Sequence, residues 1–561
     1  MLTKAIYIDS FAIYSTREVA SMYVEDIKTR RNKKIYTTVL IRETFRESGR
    51  IKHRSLANIS KLPSAVILQI KQTLSGKGQV CLEELCINNS KEFGGSFAFL
   101  ELARDIGLDK VIYSRSDSWR QNALAMIVGR ILWQGSKLSL TNMFKDSSLW
   151  ELCGHNAESR PDVQKDCYDA LDKLLDRQNA IQKKLSEKHL DDGCLILYDI
   201  TNTWLEGEYS DSELVAYGMG KGGKRGYKQI AIGLITNRTG CPVAIEVFRG
   251  NTSDQSTVWG EAQKLANTYG VHDVILAGDR GMLTPKRIEE VERLGFKTLT
   301  ALTHPQMSRL LERCNIEPSL FDEKEIIEIV DADEKHLRYM LCKNPETMRN
   351  ETATRLSLID AAVTRLNDIA KVKRKRDPQK VCARVGRVFA TYRIEKFFTW
   401  NVEEHGDLHF SLNNDVINTE QALDGCYVIR ADISGDILNK EETVAGYMAL
   451  RHVEKAFRNL KTVALEMRPI YHKTDNRIRA HIFLCFLSYY LLWHAQQRLK
   501  PLFDKDGKGN KRRWSVAATI ERLKSLRRDQ LLVEGIAVKK ICTKPDQEQT
   551  EILDLLGVKL P

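Results

Sequence analysis

Apolar residues recur at different spacings in successive parts of the chain, and each spacing predicts its own kind of secondary structure. Short β-branched runs around the turn signal Ser48-Gly49 predict a small β meander over residues 21–60. Apolar residues at three- and four-residue steps predict mainly helices over residues 64–190. Over residues 191–300 the pattern predicts three strands, a helix, a strand and a helix, which is the order of an α/β domain.

The pattern changes twice more after residue 300. Residues 301–440 hold three β-like runs and few motifs, which predicts a β-rich insertion into the α/β domain. These runs are Leu337–Cys342, Val388–Tyr392 and Tyr427–Arg430. Helical spacing returns over residues 441–500. There the apolar stretch Ile482–Trp493 predicts a buried helix, because spanning a bilayer takes about 20 residues.

Two predicted strands run into an aspartate, and a later helix carries a glutamate. The first of these strands ends at Asp199, and the strand Asp273–Ala277 leads to Asp279. The helical segment Tyr447–Lys461 has Glu454 at its centre. Each acid also has a simpler interpretation, because an aspartate after a strand often caps the next turn and a glutamate on an amphipathic helix is often solvated.

The three acids together predict a site for phosphoryl transfer. Hard divalent ions such as Mg²⁺ prefer carboxylate oxygens as ligands. Two such ions about 4 Å apart activate the attacking oxygen and stabilise the leaving oxygen. Acids on two strands and one helix are the arrangement that RNase H-like enzymes use. The pattern therefore predicts an α/β fold with an RNase H-like catalytic core, in which helices flank a mixed sheet.

Composition adds a partner and a compartment to this prediction. The 561-residue chain has a net charge of +12. This excess predicts a polyanionic partner such as nucleic acid, although other basic cytosolic enzymes share it. The 12 cysteines have no regular spacing, which argues against a zinc site and suits a reducing cytoplasm. Because the N-terminus lacks a signal-peptide pattern, we expect a cytoplasmic protein with no membrane partner.

Four motifs in a fixed order carry a resemblance to a known family. They are Tyr198–Thr203 with Gly218, Gly250–Asp254, Asp279–Gly281, and Val453–Lys461 followed by Arg468-Pro469 and His472. With these motifs the sequence resembles the DDE transposases of bacterial insertion sequences, in the 1634-like branch of the IS-four superfamily. The resemblance covers roughly residues 190–500.

The resemblance assigns the three acids a role. It implies that Asp199, Asp279 and Glu454 are the catalytic triad. These acids would bind two metal ions, either Mg²⁺ or Mn²⁺. It also implies a β-rich domain inserted before the catalytic glutamate, which fits residues 301–440.

Contacts to DNA phosphates are expected from the last motif and from a glycine-rich loop. Tyr447, Glu454 and Lys461 match a Tyr–Arg–Glu–Lys signature of the family, whereas Leu450 stands at the arginine position with Arg451 beside it. The expected DNA-binding residues are Tyr447, Arg451, Arg458, Lys461, Lys221, Lys224 and Arg225. The alternatives are a surface lysine at Lys461, a structural salt bridge at Arg458 and a solvated loop without DNA contacts.

The predicted organisation has six parts. They are a basic, β-rich region at 1–85 that binds DNA ends, a helical region at 86–190, the first part of the RNase H-like core at 191–300, the β-rich insertion at 301–440, the last core helices with the catalytic glutamate at 441–500, and a tail at 501–561.

The resemblance implies a transposase that binds the terminal inverted repeats of its element. It would hydrolyse the phosphodiester at the transposon end and transfer the freed strand to target DNA. We expect a homodimer on the paired DNA ends, associated with the bacterial nucleoid. Two alternatives remain: an RNase H-like nuclease without strand transfer, and an inactive or repurposed DNA-binding protein.

Overall fold

A computed structural model gives the fold of the protein. It describes residues 21–31, 34–47, 50–75, 85–218, 226–317, 325–372, 376–505, 513–533 and 536–561. The chain divides into two compact units. The first comprises the chain up to Gly95 with Met143–Ser148 and Glu521–Glu551, and the second comprises Ser96–Asn142, Leu149–Ile520 and Ile552–Pro561.

The first unit begins with the predicted β meander. Its strands are β1 (Ser21–Arg31), β2 (Lys34–Glu47) and β3 (Arg50–Asn58), which pair antiparallel in this order. Helix α1 (Ser64–Leu74) follows, and its Lys71 forms an ion pair with Asp26 on β1 at 2.6 Å. The next strand is β4 (Leu85–Glu92), which the helical spacing of this region did not predict.

Helices dominate residues 94–189, as predicted. They are α2 (Gly94–Asp105), α3 (Leu108–Ile112), α4 (Ser118–Trp133), α5 (Lys137–Asn142), α6 (Leu149–Leu152), α7 (Asp169–Asp176) and α8 (Gln178–His189). A π-helical segment, Val163–Tyr168, leads into α7.

The next elements follow the predicted α/β order. They are β5 (Leu195–Trp204), β6 (Ala216–Tyr217), β7 (Lys228–Asn237), β8 (Pro242–Arg249), α9 (Asp254–Gln263), β9 (Ile275–Gly278), α10 (Pro285–Glu292) and β10 (Lys297–Ala301). One difference matters for the site. We expected the first strand to end at Asp199, but β5 continues to Trp204 because it keeps pairing with β7 as far as Gln229.

The segment 301–440 differs from its prediction. Its elements are α11 (His304–Arg313), β11 (Ile327–Ile329), β12 (Arg338–Lys343), α12 (Pro345–Ala370), α13 (Pro378–Tyr392), β13 (Phe398–Val402), β14 (Leu408–Leu412), α14 (Asn414–Ala422) and β15 (Cys426–Ala431).

Three of these elements, α13, β12 and β15, correct the prediction of a β-rich insertion. The run Val388–Tyr392 belongs to helix α13, not to a strand, because its apolar residues continue a helical stripe that packs on α12. Strands β12 and β15 pair with each other, and β15 also pairs with β10. This part of the segment therefore extends the main sheet.

The remaining elements are mostly helical. They are α15 (Lys440–Met448), α16 (Arg451–Arg458), α17 (Asp475–Arg498), α18 (Lys500–Asp504), α19 (Val516–Lys524), β16 (Arg527–Val533), β17 (Ile536–Cys542) and α20 (Gln547–Leu556). The expected tail thus contains structure, since β16 pairs antiparallel with β17 and with β4 of the same unit.

A mixed sheet forms the centre of the second unit. Among the described residues its nine strands run in the order β11-β12-β15-β10-β9-β5-β7-β6, and β8 pairs with β7. Strand β9 pairs parallel with both β5 and β10, whereas the other pairs are antiparallel. The protein is therefore a mixed α/β structure.

The predicted buried helix is α17. Its side chains from Ile482 to Leu492 are all buried, and the helix packs against α4, α7 and β8. Among the described residues, no helix has the length and the apolar character needed to cross a membrane.

The interior of this unit also contains a lysine. The Lys137 side chain is buried and lies 2.6 Å from Nδ1 of His481. The other ring nitrogen, Nε2, lies 3.1 Å from the carbonyl of Met467 and donates to it, which leaves Nδ1 to accept from Lys137. Burial is the main cause that lowers the pKa of Lys137 to about 7.

We expect the substitution Lys137→Met to stabilise the protein most at low pH. An unfolded lysine has a pKa of about 10.4, so the folded protein takes up fewer protons between about pH 7 and pH 10, and its stability rises with pH there. Methionine lacks this dependence. At about pH 6 the free energy of unfolding of the variant should exceed that of the wild type by about 2–4 kcal/mol, reduced by the contribution of the lost hydrogen bond. This difference should vanish near pH 10.

Urea unfolding of both proteins at about pH 6, 8 and 10 checks this expectation. Titrating groups that Lys137 does not influence are common to the two proteins and cancel in the difference. The charge of Lys137 also lowers the pKa of His472 and of His481, but burial is the larger cause for both and is common to the two proteins. A stability difference that stays constant with pH would contradict a buried lysine of low pKa.

Candidate active site

Asp199 and Asp279 lie at equivalent positions on neighbouring strands. Strands β5 and β9 pair in parallel, with Tyr198 opposite Gly278 as the last pair. Asp199 is the next residue of β5, and Asp279 directly follows the last residue of β9. Neighbouring strands are about 4.8 Å apart. The pairing register therefore places the two carboxylates side by side where β9 ends and β5 continues.

Each aspartate is held by its local backbone. The Ile200 amide donates to Oδ1 of Asp199 at 2.7 Å, and the Arg280 amide donates to Oδ1 of Asp279 at 2.8 Å. The Asp279 carbonyl accepts from the Met282 amide at 2.9 Å, which closes a tight turn. Asp199 is half-buried and Asp279 is exposed, so the pair lies at the rim of the sheet.

The segment with the glutamate is not one continuous α-helix, which corrects the prediction for Tyr447–Lys461. Helix α15 ends at Met448 and α16 begins at Arg451, with i→i−3 hydrogen bonds across the junction. After α16 the chain forms a π-helical turn over Asn459–Val463. Tyr447, Glu454 and Lys461 stand seven residues apart, which on a regular helix would align their side chains along one face. The tight junction and the wide π turn each change the helical phase and break this alignment.

Helix α15 packs closely on the sheet beside the aspartates. A capping box starts it, in which Asn439 and Glu442 each accept from the other's backbone amide. Gly446 faces the sheet, and a Cβ there would lie 3.0 Å from the Leu195 side chain. The missing side chain thus allows the helix to approach β5 and β10 and brings Tyr447 to the strand ends.

Tyr447 lies within the electrostatic influence of two of the acids. Burial, and next the negative charge of Asp279, raise the pKa of Tyr447 to about 12, and the charge of Glu454 acts in the same direction. The hydroxyl is therefore protonated at neutral pH and is available as a hydrogen-bond donor. Glu454 itself is exposed on α16, whose buried side chains Val453 and Phe457 seat the helix against β5 and β7.

Lys461 reaches the strand that carries Asp199. Its ammonium group donates to the Thr201 hydroxyl and, at 2.7 Å, to the Asn202 carbonyl. These partners follow Asp199 on β5. The structure thus brings Lys461 close to the expected site, and sequence analysis did not identify Thr201 or Asn202 as its partners.

The other expected DNA-binding residues have different positions. Arg458 is exposed one turn after Glu454. Arg451 is also exposed, but it lines a separate groove together with Arg238 and Lys455. The predicted residues Lys221, Lys224 and Arg225 lie outside the described part of the chain.

A cleft of about 570 Å³ opens at Asp279 and Tyr447. Arg280 lines it as well, and its positive charge acts on Tyr447 in the direction opposite to that of Asp279. Sequence analysis quoted Arg280 in a motif but did not select it as a site residue. The signal was its position directly after a strand-ending aspartate.

The donor set of this site fits hard divalent ions. Its donors are carboxylate oxygens, which Mg²⁺ and Mn²⁺ prefer over nitrogen or sulfur. Among the described residues, the carboxylate oxygens of Asp199, Asp279 and Glu454 do not all lie within 4.8 Å of one another.

Comparisons with known proteins show which family the chain matches. Residues 192–491 match the profile described as the transposase DDE domain, and residues 25–83 match the N-terminal domain of the IS1634 family transposases. A solved structure of the piggyBac transposase synaptic complex with hairpin DNA covers 77% of this chain and 75% of its own, at 8% identity and a TM-score of 0.34. No curated protein matches the chain.

Proposed function

The chain belongs to the family of transposases that share the DDE domain, and we propose that Asp199, Asp279 and Glu454 are its phosphoryl-transfer site. The observation that carries this proposal is the register of β5 and β9, which sets the two aspartates side by side. The influence of both Asp279 and Glu454 on Tyr447 supports the inclusion of the glutamate.

An RNase H-like core is part of this proposal. The strand order β8-β7-β5-β9-β10 consists of three antiparallel strands followed by two parallel ones, which supports such a core. Helix α16 packs on β5 and β7 and carries Glu454. In this proposal, 191–300 and 441–500 form the core, and β12 and β15 extend its sheet.

DDE transposases generally use divalent metal ions, and the proposed ions here are two Mg²⁺ or Mn²⁺. When bound, they would activate the attacking oxygen and stabilise the leaving one. Asp199, Asp279 and Glu454 would supply their protein ligands.

The neighbouring side chains would hold the DNA. The protonated hydroxyl of Tyr447 would donate to a phosphate oxygen at the transposon end. The ammonium of Lys461 would exchange its bonds to Thr201 and Asn202 for one to a phosphate. Water and then the freed 3′-hydroxyl would be the successive nucleophiles.

DNA is the partner that the family membership gives, and its finer description is proposed here. The terminal inverted repeats would contact the basic region 1–85, which includes the matched N-terminal domain. Arg451, Arg458 and the loop residues Lys221, Lys224 and Arg225 would contact DNA phosphates. Two copies of the chain would act on the paired ends in the bacterial nucleoid.

A labelled terminal-repeat duplex and an unlabelled target duplex test the function. With Mg²⁺ the protein should release the transposon end and then join it to the target, and a chelator should stop both reactions. Cleavage without joining would favour a plain nuclease. Binding without either reaction would favour a repurposed DNA-binding protein.

We expect Lys461→Met to slow cleavage by about 10- to 100-fold, because a hydrogen bond to a charged group contributes about 1.5–3 kcal/mol. Overall DNA affinity should fall much less, since one phosphate contact changes the salt slope by only about 0.9. Single-turnover cleavage and binding at several salt concentrations measure the two effects. Lys110→Met, at an exposed position on α3, is the control. Equal rates in both variants would leave Lys461 without a role at the site.

A further inference from the structure

Three metal-ligating side chains from distant parts of the sequence meet in the second unit. They are His189 at the end of α8, Cys241 in the turn between β7 and β8, and His494 on α17. Their candidate ligand atoms all lie within 4.8 Å of one another, and the described residues contain no other such group. This group is distinct in its residues and in its chemistry from the carboxylates of the proposed active site.

The group is partly buried, as expected for a metal site that has one side near solvent. Cys241 is fully buried, whereas both histidines are half-buried. The Nε2 atom of His494 is buried and has no hydrogen-bond partner in the described protein. A buried polar atom without a partner costs free energy, and a metal ion would remove that cost.

The protonation states also suit a metal. Burial, the largest cause in each case, lowers the pKa of His189 and of His494 to about 4, so both rings are neutral and each has a lone pair. Burial raises the pKa of Cys241, so the metal-free residue is a thiol. Lys188 and Arg498 are the nearby positive charges that oppose a cation, and a thiolate would offset part of their effect.

We propose that His189, Cys241 and His494 bind one borderline or soft transition-metal ion, of which Zn²⁺ is the representative. Sulfur and imidazole ligands select this class over Mg²⁺. On binding, the Cys241 thiol loses its proton to solvent and the sulfur forms the metal bond, with no change in oxidation state. Water would complete four ligands, and the Tyr490 hydroxyl would give up its 2.8 Å hydrogen bond to Nε2 of His189 where this nitrogen binds the ion.

The bound ion would act as a structural clip. Ligands in a tetrahedral zinc site are about 3.4 Å apart, given bonds of about 2.0–2.3 Å, and the three candidate ligand atoms lie within 4.8 Å of one another, so they would draw closer by at most about 1.4 Å. The ion would then join α8, the β7–β8 turn and α17. Because β7 pairs with β5, the clip would fix one end of the sheet that carries Asp199.

Cobalt substitution tests the proposal in the full-length protein. Metal-free protein titrated with Co²⁺ should develop a sulfur-to-cobalt charge-transfer band that saturates at one ion per chain, and Zn²⁺ should abolish it. Cys241→Ser should lose the band and His494→Ala should weaken it. Cys153→Ser is the control, because Cys153 is equally a buried thiol of this unit but lies outside the group. The carboxylates of the active site cannot produce this band.

A second measurement covers a variant that fails to fold. In the wild-type protein, Zn²⁺ should slow alkylation of Cys241 at least about tenfold and leave Cys153 unchanged, as followed by mass spectrometry of the labelled peptides. The absence of a sulfur band in the wild type, a band that persists in Cys241→Ser, or unprotected Cys241 would each overturn the proposal. None of these results depends on transposase activity.

Discussion

Asp279→Asn is expected to reduce both DNA cleavage and strand joining by about 10³-fold or more, which corresponds to about 4 kcal/mol of transition-state stabilisation. The substitution keeps the shape of the side chain but removes the charge of a proposed metal ligand. The surrounding turn should survive, because the bond to the Met282 amide uses the Asp279 carbonyl and an asparagine oxygen still accepts from the Arg280 amide. Terminal-repeat binding without metal should therefore be retained.

Single-turnover cleavage and joining with Mg²⁺ measure the loss. The matched control is Asp273→Asn, which makes the same substitution just before the start of β9. Asp273 has a positive φ of 52° that asparagine tolerates, and its exposed ion pair with Lys297 contributes little. Full activity in the Asp279 variant would remove this residue from the triad.

Asp424→Ala is expected to destabilise the protein by about 3–5 kcal/mol, the usual cost of removing one partner of a buried ion pair. Arg355 on α12 donates two hydrogen bonds to the Asp424 carboxylate, one of them at 2.8 Å. The Thr352 hydroxyl donates to the same carboxylate at 2.6 Å. Both charged side chains are buried, at 9% and 6% exposure, although they line the wall of the cleft at Asp279. The variant would therefore leave a buried guanidinium without its hydrogen-bonded counter-ion, and only the weaker influence of Glu420 and Glu351 would remain.

Urea unfolding at constant m-value gives this difference. Asp368→Ala is the control, because Asp368 on α12 pairs at 3.9 Å with Lys371 and both side chains are exposed. Exposed pairs are worth about 0–1 kcal/mol, so the control should unfold close to wild type. Similar losses in both variants would mean that burial does not set the strength of the Arg355 pair.

The sequence predicted the strands of the site better than its helices. The apolar runs before Asp199 and Asp279 are continuous, which is typical of strands buried on both faces, and both strands formed, although β5 continues past its expected end at Asp199 to Trp204. The segment Tyr447–Lys461 has a helical period throughout, but the period alone does not show where i→i−3 and i→i−5 hydrogen bonds replace the regular ones. These irregular hydrogen bonds change the helical phase, and their positions cannot be inferred from the spacing of apolar residues.

Long-range partners were beyond the reach of local patterns. Strand β15 carries an ordinary β-like run, and nothing in that run indicates that it pairs with β10. The run Val388–Tyr392 was assigned wrongly because β-branched and aromatic residues favour strands, whereas packing against α12 decided the outcome. The group of His189, Cys241 and His494 has no sequence spacing that would indicate a metal site.

The burial of α17 also determines when the fold can be completed during synthesis. The helix packs on β8, yet about 250 residues separate Arg249 at the end of β8 from Arg498 at the end of α17. At about 5–20 residues per second, the ribosome needs about 12–50 s to make them. During this interval the apolar strand residues that α17 will cover remain exposed on the nascent chain. Early release or a pause in translation therefore favours aggregation over folding.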